Sequence, residues 1–150
     1  MRVLILDPQA SFAELLAVRL REDGHDVSCA DNPEKMDALL RIRGAEAVVV
    51  DLSRRRMNGF DIARALRAEH GPGLRIALTS SVHQEGDAEA QVLLAEVQAL
   101  GFYPRSVSPD LLAGDLLRAV SKPPPSPPRA VNTGVRAARP VASPAPQKTR

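Results

Sequence analysis

Two aspartates and a threonine each follow a short apolar run, and these are the residues of the chain best suited to chemistry. Asp7 follows Val-Leu-Ile-Leu, Asp51 follows Ala-Val-Val-Val, and Thr79 follows Ile-Ala-Leu. Carboxylate oxygens are ligands for magnesium, and an aspartate can form a covalent acyl phosphate. If the three side chains meet, they suit a divalent cation and a phosphoryl group.

The apolar runs themselves predict how these residues are brought together. Continuous Val, Ile and Leu segments bounded by polar residues are typical of strands buried on both faces, and helical patterns lie between them. That alternation predicts a parallel sheet, and ligands bind such sheets beyond the carboxyl ends of the strands. We therefore expect Asp7, Asp51 and Thr79 at one edge of the sheet.

Five predicted strands alternate with five predicted helices. Ser11 is the expected cap of the first helix, Asn32-Pro33 opens the second, and Ser108-Pro109-Asp110 opens the last. Apolar residues at helical spacing predict the inward faces, with Leu93, Val97 and Leu100 in the fourth helix and Leu112, Leu116, Leu117 and Val120 in the fifth. The predicted strands are 2–7, 27–30, 47–51, 75–79 and 102–103, and the predicted helices are 11–24, 32–44, 60–70, 87–100 and 108–120.

Charge and proline divide the chain near Ser121. Residues 121–150 hold six basic residues, no acidic residue and eight of the 13 prolines, whereas residues 1–120 carry a net charge of −4. A segment so poor in apolar residues cannot offset the entropy cost of folding. We predict a folded domain over 1–120 and a disordered basic tail over 121–150, which is expected to dock a protein or an acidic surface.

Several function classes find no support in the sequence. There is no phosphate-binding Gly-x-x-x-x-Gly-Lys, no Gly-x-Gly-x-x-Gly after the first strand and no Gly-x-Ser-x-Gly. No apolar stretch approaches the roughly 20 residues that span a bilayer. The basic tail lacks aromatic residues to stack on bases. We expect a cytoplasmic protein that is not an enzyme, inserts in no membrane and binds no specific nucleic acid.

Read together, these features resemble the CheY-like receiver domain of bacterial response regulators over residues 1 to about 120. The resemblance rests on Asp7, on Asp51, on Met57-Asn58-Gly59 at the family's distance from that aspartate, and on Thr79, with Gly24 after the first helix. It implies a flavodoxin-like fold, which is a doubly wound five-stranded parallel sheet with helices on both faces.

The resemblance also implies roles for individual residues. Asp51 is the phosphoacceptor, and a histidine kinase or phosphotransfer protein is its donor. Magnesium is held by Asp7, Asp51 and the backbone carbonyl of Ser53. Thr79 and an aromatic residue on the fifth strand, Phe102, form the switch that alters a surface for a downstream protein partner.

Departures from the family pattern concern the acidic pocket. Pro8 replaces a second acid, which removes one metal ligand, so Mg²⁺ is expected to be weakly bound or absent. Arg54, Arg55 and Arg56 follow the phosphoacceptor segment, either as counterions or as a solvated loop. Aligning Phe102 with the switch aromatic places Arg105 at the position of the family's lysine, whereas matching Gly101 and Pro109 places Ser108 there. We prefer Arg105.

Two functions remain open at this point. The first is a stand-alone, phosphorylatable receiver in two-component phosphorelay signalling, with Asp51, Thr79 and Arg105 as its reactive set. The alternative is a pseudo-receiver that acts as a constitutive protein-interaction module without phosphorylation. Pro8 and the arginine-rich loop favour the alternative, and the intact reactive set favours the first.

Overall fold

A computed structural model describes residues 1–53 and 58–120 of the 150-residue chain. Residues 54–57, which include the arginine-rich loop and the methionine of the Met57-Asn58-Gly59 motif, lie outside the described residues. So does the predicted tail at 121–150, together with the side chain of Val120.

The described chain forms one parallel five-stranded sheet, as the apolar runs predict. Its strands are β1 (Arg2–Leu6), β2 (Asp26–Ala30), β3 (Ala47–Asp51), β4 (Arg75–Ser80) and β5 (Phe102–Pro104). The strand order is β2-β1-β3-β4-β5, so the central strands are β1, β3 and β4. All residues of β3 are buried, which explains why its sequence is uniformly apolar up to Asp51.

Helices cover both faces of the sheet and create two separate cores. They are α1 (Ala10–Glu22), α2 (Pro33–Arg43), α3 (Gly59–His70), α4 (Ala88–Glu96) and α5 (Pro109–Val120). One core joins α1 and α5 to the residues Val3, Ile5, Ala47 and Val49 of the sheet. The other joins α2, α3 and α4 to Leu4, Leu6, Val48 and Val50. Alternate residues of β1 and β3 thus point to opposite faces, and the predicted flavodoxin-like fold is confirmed.

Side-chain caps fix where three of the helices begin. Asn32 accepts a hydrogen bond from the amide of Lys35, Asn58 caps α3 through the amide of Asp61, and Asp87 caps α4 through the amide of Ala90. The predicted cap at Ser11 is wrong. Helix α1 begins earlier, at Ala10, and its N-cap residue Gln9 makes no side-chain capping bond.

In helices α4 and α5, the predicted apolar stripe includes residues that the fold leaves exposed. Helix α4 ends at Glu96 rather than near residue 100, and Gln98 adopts a left-handed φ of 49° just after it. The chain then turns so that the amide of Leu100 donates to the carbonyl of Ile76, which leaves the Leu100 side chain exposed. In α5, Leu112 and Leu116 are buried but Leu117 is 41% exposed, so the stripe is narrower than the spacing predicts.

Strand β5 forms one edge of the sheet and is only three residues long. Its last residue, Pro104, lies opposite Ser80 of β4. Among the helices of the described residues, none has the length and apolar character that crossing a bilayer requires.

Candidate functional site

The carboxyl ends of β1, β3 and β4 bring the predicted reactive residues together. Leu6 pairs with Val50 in register, so Asp7 and Asp51 are the next residues on neighbouring strands, and Asp51 itself pairs with Thr79. All three side chains are buried, with at most 2% exposure. The sequence prediction that these residues converge is therefore correct in geometry.

A close backbone approach holds the end of β3 in place. A Cβ on Gly59 would lie 2.0 Å from the carbonyl oxygen of Asp51 and 2.9 Å from the Cα of Leu52. Only glycine allows α3 to start this near the strand end. The Asn58-Gly59 pair of the family-like motif thus caps the helix and packs its first turn against Asp51.

Arg105, which follows β5, reaches across the sheet edge to Asp7. Its amide donates to the carbonyl of Ser80 at 2.9 Å, which extends the β4–β5 pairing by one residue. Its Nη2 lies 2.8 Å from both carboxylate oxygens of Asp7, and its Nη1 donates to Oε1 of Gln9. The guanidinium carbon lies 4.7 Å from the centre of the Phe12 ring. The alignment that assigns Arg105 to this site agrees with the geometry.

Asp51 is less completely bonded than Asp7. Its Oδ1 accepts a hydrogen bond from the Ser53 hydroxyl at 3.0 Å and lies 3.8 Å from Nη2 of Arg105. Its Oδ2 has no hydrogen-bond partner among the described residues, and neither has Oγ1 of Thr79, the residue opposite it. Buried polar atoms are normally paired, so these two oxygens on adjacent strands have unused hydrogen-bonding capacity that a ligand or a water molecule can satisfy.

Burial sets the acidity of both carboxyl groups. The pKa of Asp51 is raised from 3.8 to about 6, chiefly because burial disfavours the charged form and also because Asp7 is near, and Ser53 and Arg105 oppose that rise. The pKa of Asp7 is also raised by burial, which outweighs the Gln9 amide and Arg105. Burial therefore destabilises the charged form of each carboxyl group, and a cation or a hydrogen-bond donor on a bound ligand would stabilise that form.

An open cleft of about 520 Å³ lies above this edge and is lined by Pro8, Gln9, Asp51, Ser53, Ser81, Val82 and Arg105. Within it, the Ser53 and Ser81 hydroxyls are 2.8 Å apart, and the Ser81 amide donates to Ser53 Oγ at 3.3 Å. Sequence reasoning did not select Gln9, Phe12 or Ser81. The strand-end rule that selected Thr79 could have found Ser81, which comes two residues later, whereas nothing local marks the other two.

The donor set does not fit a magnesium ion as the side chains stand. Magnesium requires about six oxygen ligands in octahedral geometry. Asp7, one of the predicted ligands, has both carboxylate oxygens bonded to Arg105. The next residue, Pro8, has no side-chain oxygen to offer a metal ion. Within residues 1–53 and 58–120, no three Asp, Glu, His or Cys side chains form a group able to hold a metal ion. Metal binding by Asp7, Asp51 and the Ser53 carbonyl stays a prediction that requires Arg105 to move.

The predicted switch residues lie on adjacent strands. Phe102 pairs with Leu78 and packs partly buried against the α2–α3–α4 core, and Tyr103 pairs with Thr79. Tyr103 points to the α1–α5 core, where its hydroxyl donates to Asp115. Phe102 is thus the aromatic residue on the face that α4 covers, and its role in switching stays a prediction.

A buried aspartate at the end of β3, a threonine opposite it on β4 and a cation after β5, on a parallel sheet of order β2-β1-β3-β4-β5, define a CheY-like receiver fold. Solved receiver domains share it. The signal receiver domain of the DNA-binding response regulator protein merR from Colwellia psychrerythraea 34H matches with a TM-score of 0.72 at 19% identity, over 81% of this chain and 99% of that one. A CheY-like receiver domain from Methanospirillum hungatei JF-1 matches with a TM-score of 0.69 at 17% identity, over 80% and 93%.

A curated relative has a higher sequence identity than these solved structures, over a shorter stretch of the chain. The DNA-binding response regulator MtrA from Mycolicibacterium paratuberculosis is 38% identical over 71 residues, which are 47% of this chain and 31% of MtrA. The chain thus matches about a third of the length of that curated relative. No protein-family model matches the chain. The predicted resemblance to response regulator receiver domains is confirmed by the fold and by this partial similarity.

Proposed function

We propose that the chain is a receiver module of two-component signalling, which accepts a phosphoryl group on Asp51 and signals through protein–protein interaction rather than by catalytic turnover. The observation that carries the proposal is the pair of unpaired, buried oxygens, Oδ2 of Asp51 and Oγ1 of Thr79, beside the cleft that Asp51 lines. The proposed donor in the cell is a histidine kinase or phosphotransfer protein of the cytoplasm, and the proposed recipient of the signal is another protein.

The chemistry needs a nucleophile, a cation and a hydrogen-bond donor in one place. An Asp51 oxygen forms a bond to phosphorus while the bond from phosphorus to the donor's leaving group breaks, and the leaving group departs with the electron pair. Negative charge gathers between the carboxylate and the phosphoryl oxygens, so a fixed cation nearby lowers the barrier. Arg105 supplies that cation, and the Thr79 hydroxyl has no other partner among the described residues to which it could donate.

The test is incubation of the full chain with a small-molecule phosphodonor, acetyl phosphate, followed by intact-mass analysis. We expect the mass of one phosphoryl group to be added to the wild-type chain and not to Asp51→Asn. Asp61→Asn is the matched control, because Asp61 is an exposed acid in the first turn of α3. Equal labelling of the wild type and Asp51→Asn would place the modification elsewhere and contradict the proposal.

A second candidate function is a pseudo-receiver that binds its partner without phosphorylation. It is favoured by one observation, that Arg105 already compensates Asp7 and approaches Asp51, in a pocket where Asp51 is fully buried. An unchanged wild-type mass with both acetyl phosphate and a phosphohistidine donor protein is the result that would favour this candidate over the first.

A further inference from the structure

We propose that Arg105 is a built-in counter-cation, whose guanidinium takes the place of a divalent metal ion between Asp7 and Asp51, so that the acidic pocket functions without magnesium. This inference concerns the charge balance of the pocket. Its phosphorylation test rests on the proposed function, whereas its binding test does not.

Arg105 is held from several sides. Its side chain is 17% exposed, its Nη2 is 2.8 Å from both oxygens of Asp7, and its Nη1 bonds to Gln9. The Phe12 ring lies against its guanidinium at 4.7 Å, an arrangement that attracts a cation to the aromatic face. A guanidinium fixed by an acid, an amide and a ring is already ordered before any ligand arrives.

The Arg105 guanidinium lies close to both carboxylates. The same Nη2 that bonds to Asp7 lies 3.8 Å from Oδ1 of Asp51. Two acids at the ends of adjacent strands repel each other when both are charged, and a cation between them relieves that repulsion. Asp7 is thereby engaged in holding the cation, and Asp51 keeps one oxygen for other bonds.

A magnesium ion would have to displace Arg105 from Asp7. Magnesium dehydrates reluctantly and needs well-placed oxygen ligands. The residue after Asp7 is Pro8, which offers no side-chain oxygen, and both oxygens of Asp7 already accept from Arg105. Binding would therefore require Arg105 to leave Asp7, and the described residues place no carboxylate besides Asp7 and Asp51 in the cleft lining to offset that loss.

The binding test uses the full chain and Mg²⁺ alone, with thermal unfolding as the readout. A ligand that binds only the folded state raises the melting temperature. We expect Mg²⁺ at about 10 mM, compared with EDTA, to leave the wild-type melting temperature unchanged and to raise that of Arg105→Gln by several degrees. Arg43→Gln is the control, because Arg43 pairs with Asp26 away from the cleft and should not respond to Mg²⁺.

The wild type alone can overturn the inference, so it does not depend on the folding of a variant. Amide NMR signals of Gln9 and Ser53 are expected to stay in place during a Mg²⁺ titration, with Mn²⁺ causing no site-specific broadening there. Saturable shifts at these amides, or an equal rise of the melting temperature in the wild type and Arg105→Gln, would contradict it.

The phosphorylation test separates this inference from the proposed function. In the reaction, Asp51 forms the bond to phosphorus, the bond between phosphorus and acetate breaks, and acetate leaves as a carboxylate. Labelling of the wild type in EDTA supports both proposals. Labelling only with Mg²⁺ supports the function and overturns the metal-independent pocket. Absence of labelling in both conditions contradicts the proposed function, and the Mg²⁺ titration still decides the role of Arg105.

Discussion

Two partly buried arginines lie at opposite ends of the strands and differ in what they bind. We call the side where the strands begin the amino edge and the side where they end the carboxyl edge. At the amino edge, Arg67 of α3 donates to the backbone carbonyls of Val97 and Leu74 at 2.7 Å each, and also to that of Gly71. At the carboxyl edge, Arg105 binds the carboxylates of Asp7 and lies near Asp51. At the amino edge, Arg67 acts as a structural clamp, because it binds neutral carbonyls and so holds chain turns together. At the carboxyl edge, Arg105 balances the charge of acids beside an open cleft, and a bound ligand can change that balance.

The partners also decide how each site responds to its surroundings. Burial lowers the pKa of Arg67, but its acceptors are backbone groups that do not titrate. Arg105 instead donates to Asp7 and lies 3.8 Å from Asp51, and burial raises the pKa values of both of these carboxyl groups. A fold can therefore use the same side chain to fix backbone turns at one edge and to balance buried charge at the other, depending on whether the groups around it carry a charge.

The largest expected effect comes from the close backbone approach between Gly59 and the end of β3. Gly59→Ala places a Cβ 2.0 Å from the Asp51 carbonyl oxygen, so the strand end or the helix must move. We expect a loss of at least about 3 kcal/mol in the free energy of unfolding, measured by urea denaturation.

The matched variant at the amino edge is Gly73→Ala, where a Cβ meets nothing within 4 Å. Its stability should change by less than about 1 kcal/mol. If both alanine variants were equally stable, the close approach at the Asp51 end would not be a real constraint.

The next effect removes the structural clamp. Arg67→Ala leaves the carbonyls of Val97, Gly71 and Leu74 without this donor, and we expect a loss of about 2–3 kcal/mol. Because the acceptors are neutral, the loss should be nearly the same at low and high salt in thermal unfolding. A loss that disappears in high salt would mean that Arg67 acts through charge, as Arg105 does.

The smallest effect depends on pH and isolates Asp51. The Asp51 carboxyl group binds its proton more tightly in the folded state than in the unfolded state, because the pKa of this group is about 6 when folded and 3.8 when exposed. The contribution of this group to stability therefore falls by about 2 kcal/mol as the pH rises from about 4 to about 6, and it levels off above about pH 7. Asp51→Asn removes that titration.

We therefore expect Asp51→Asn to gain stability over the wild type as the pH rises from about 4 to about 8, in urea denaturation with EDTA present. A constant difference between the two chains across this range would show that Asp51 titrates at its ordinary pKa and is not strained by burial.

Much of this site was predictable because parallel strands order their ends. Apolar runs located β1, β3 and β4, and the strand-end rule then placed Asp7, Asp51 and Thr79 together without knowledge of any contact. The strand order β2-β1-β3-β4-β5 was not predicted, since local patterns do not specify which strands are neighbours.

What the sequence could not predict depends on contacts between distant segments. The Ser11 cap failed because Asp7 takes the amide of Gln9 as a hydrogen-bond donor, at 2.7 Å, just before α1 begins. The end of α4 was overestimated because the pairing of Leu100 with Ile76 outweighs a helical apolar pattern. Likewise, the bond from Arg105 to Asp7 joins residues 98 positions apart, and no local signal encodes it.

Pro104 limits how another protein can engage this domain. It ends a three-residue edge strand, and a proline has no amide proton with which to extend a β-ladder outward. A neighbouring chain therefore cannot readily add a strand at this border, which protects the domain from edge-to-edge aggregation. Recognition on that side has to rely on side chains rather than on a backbone ladder.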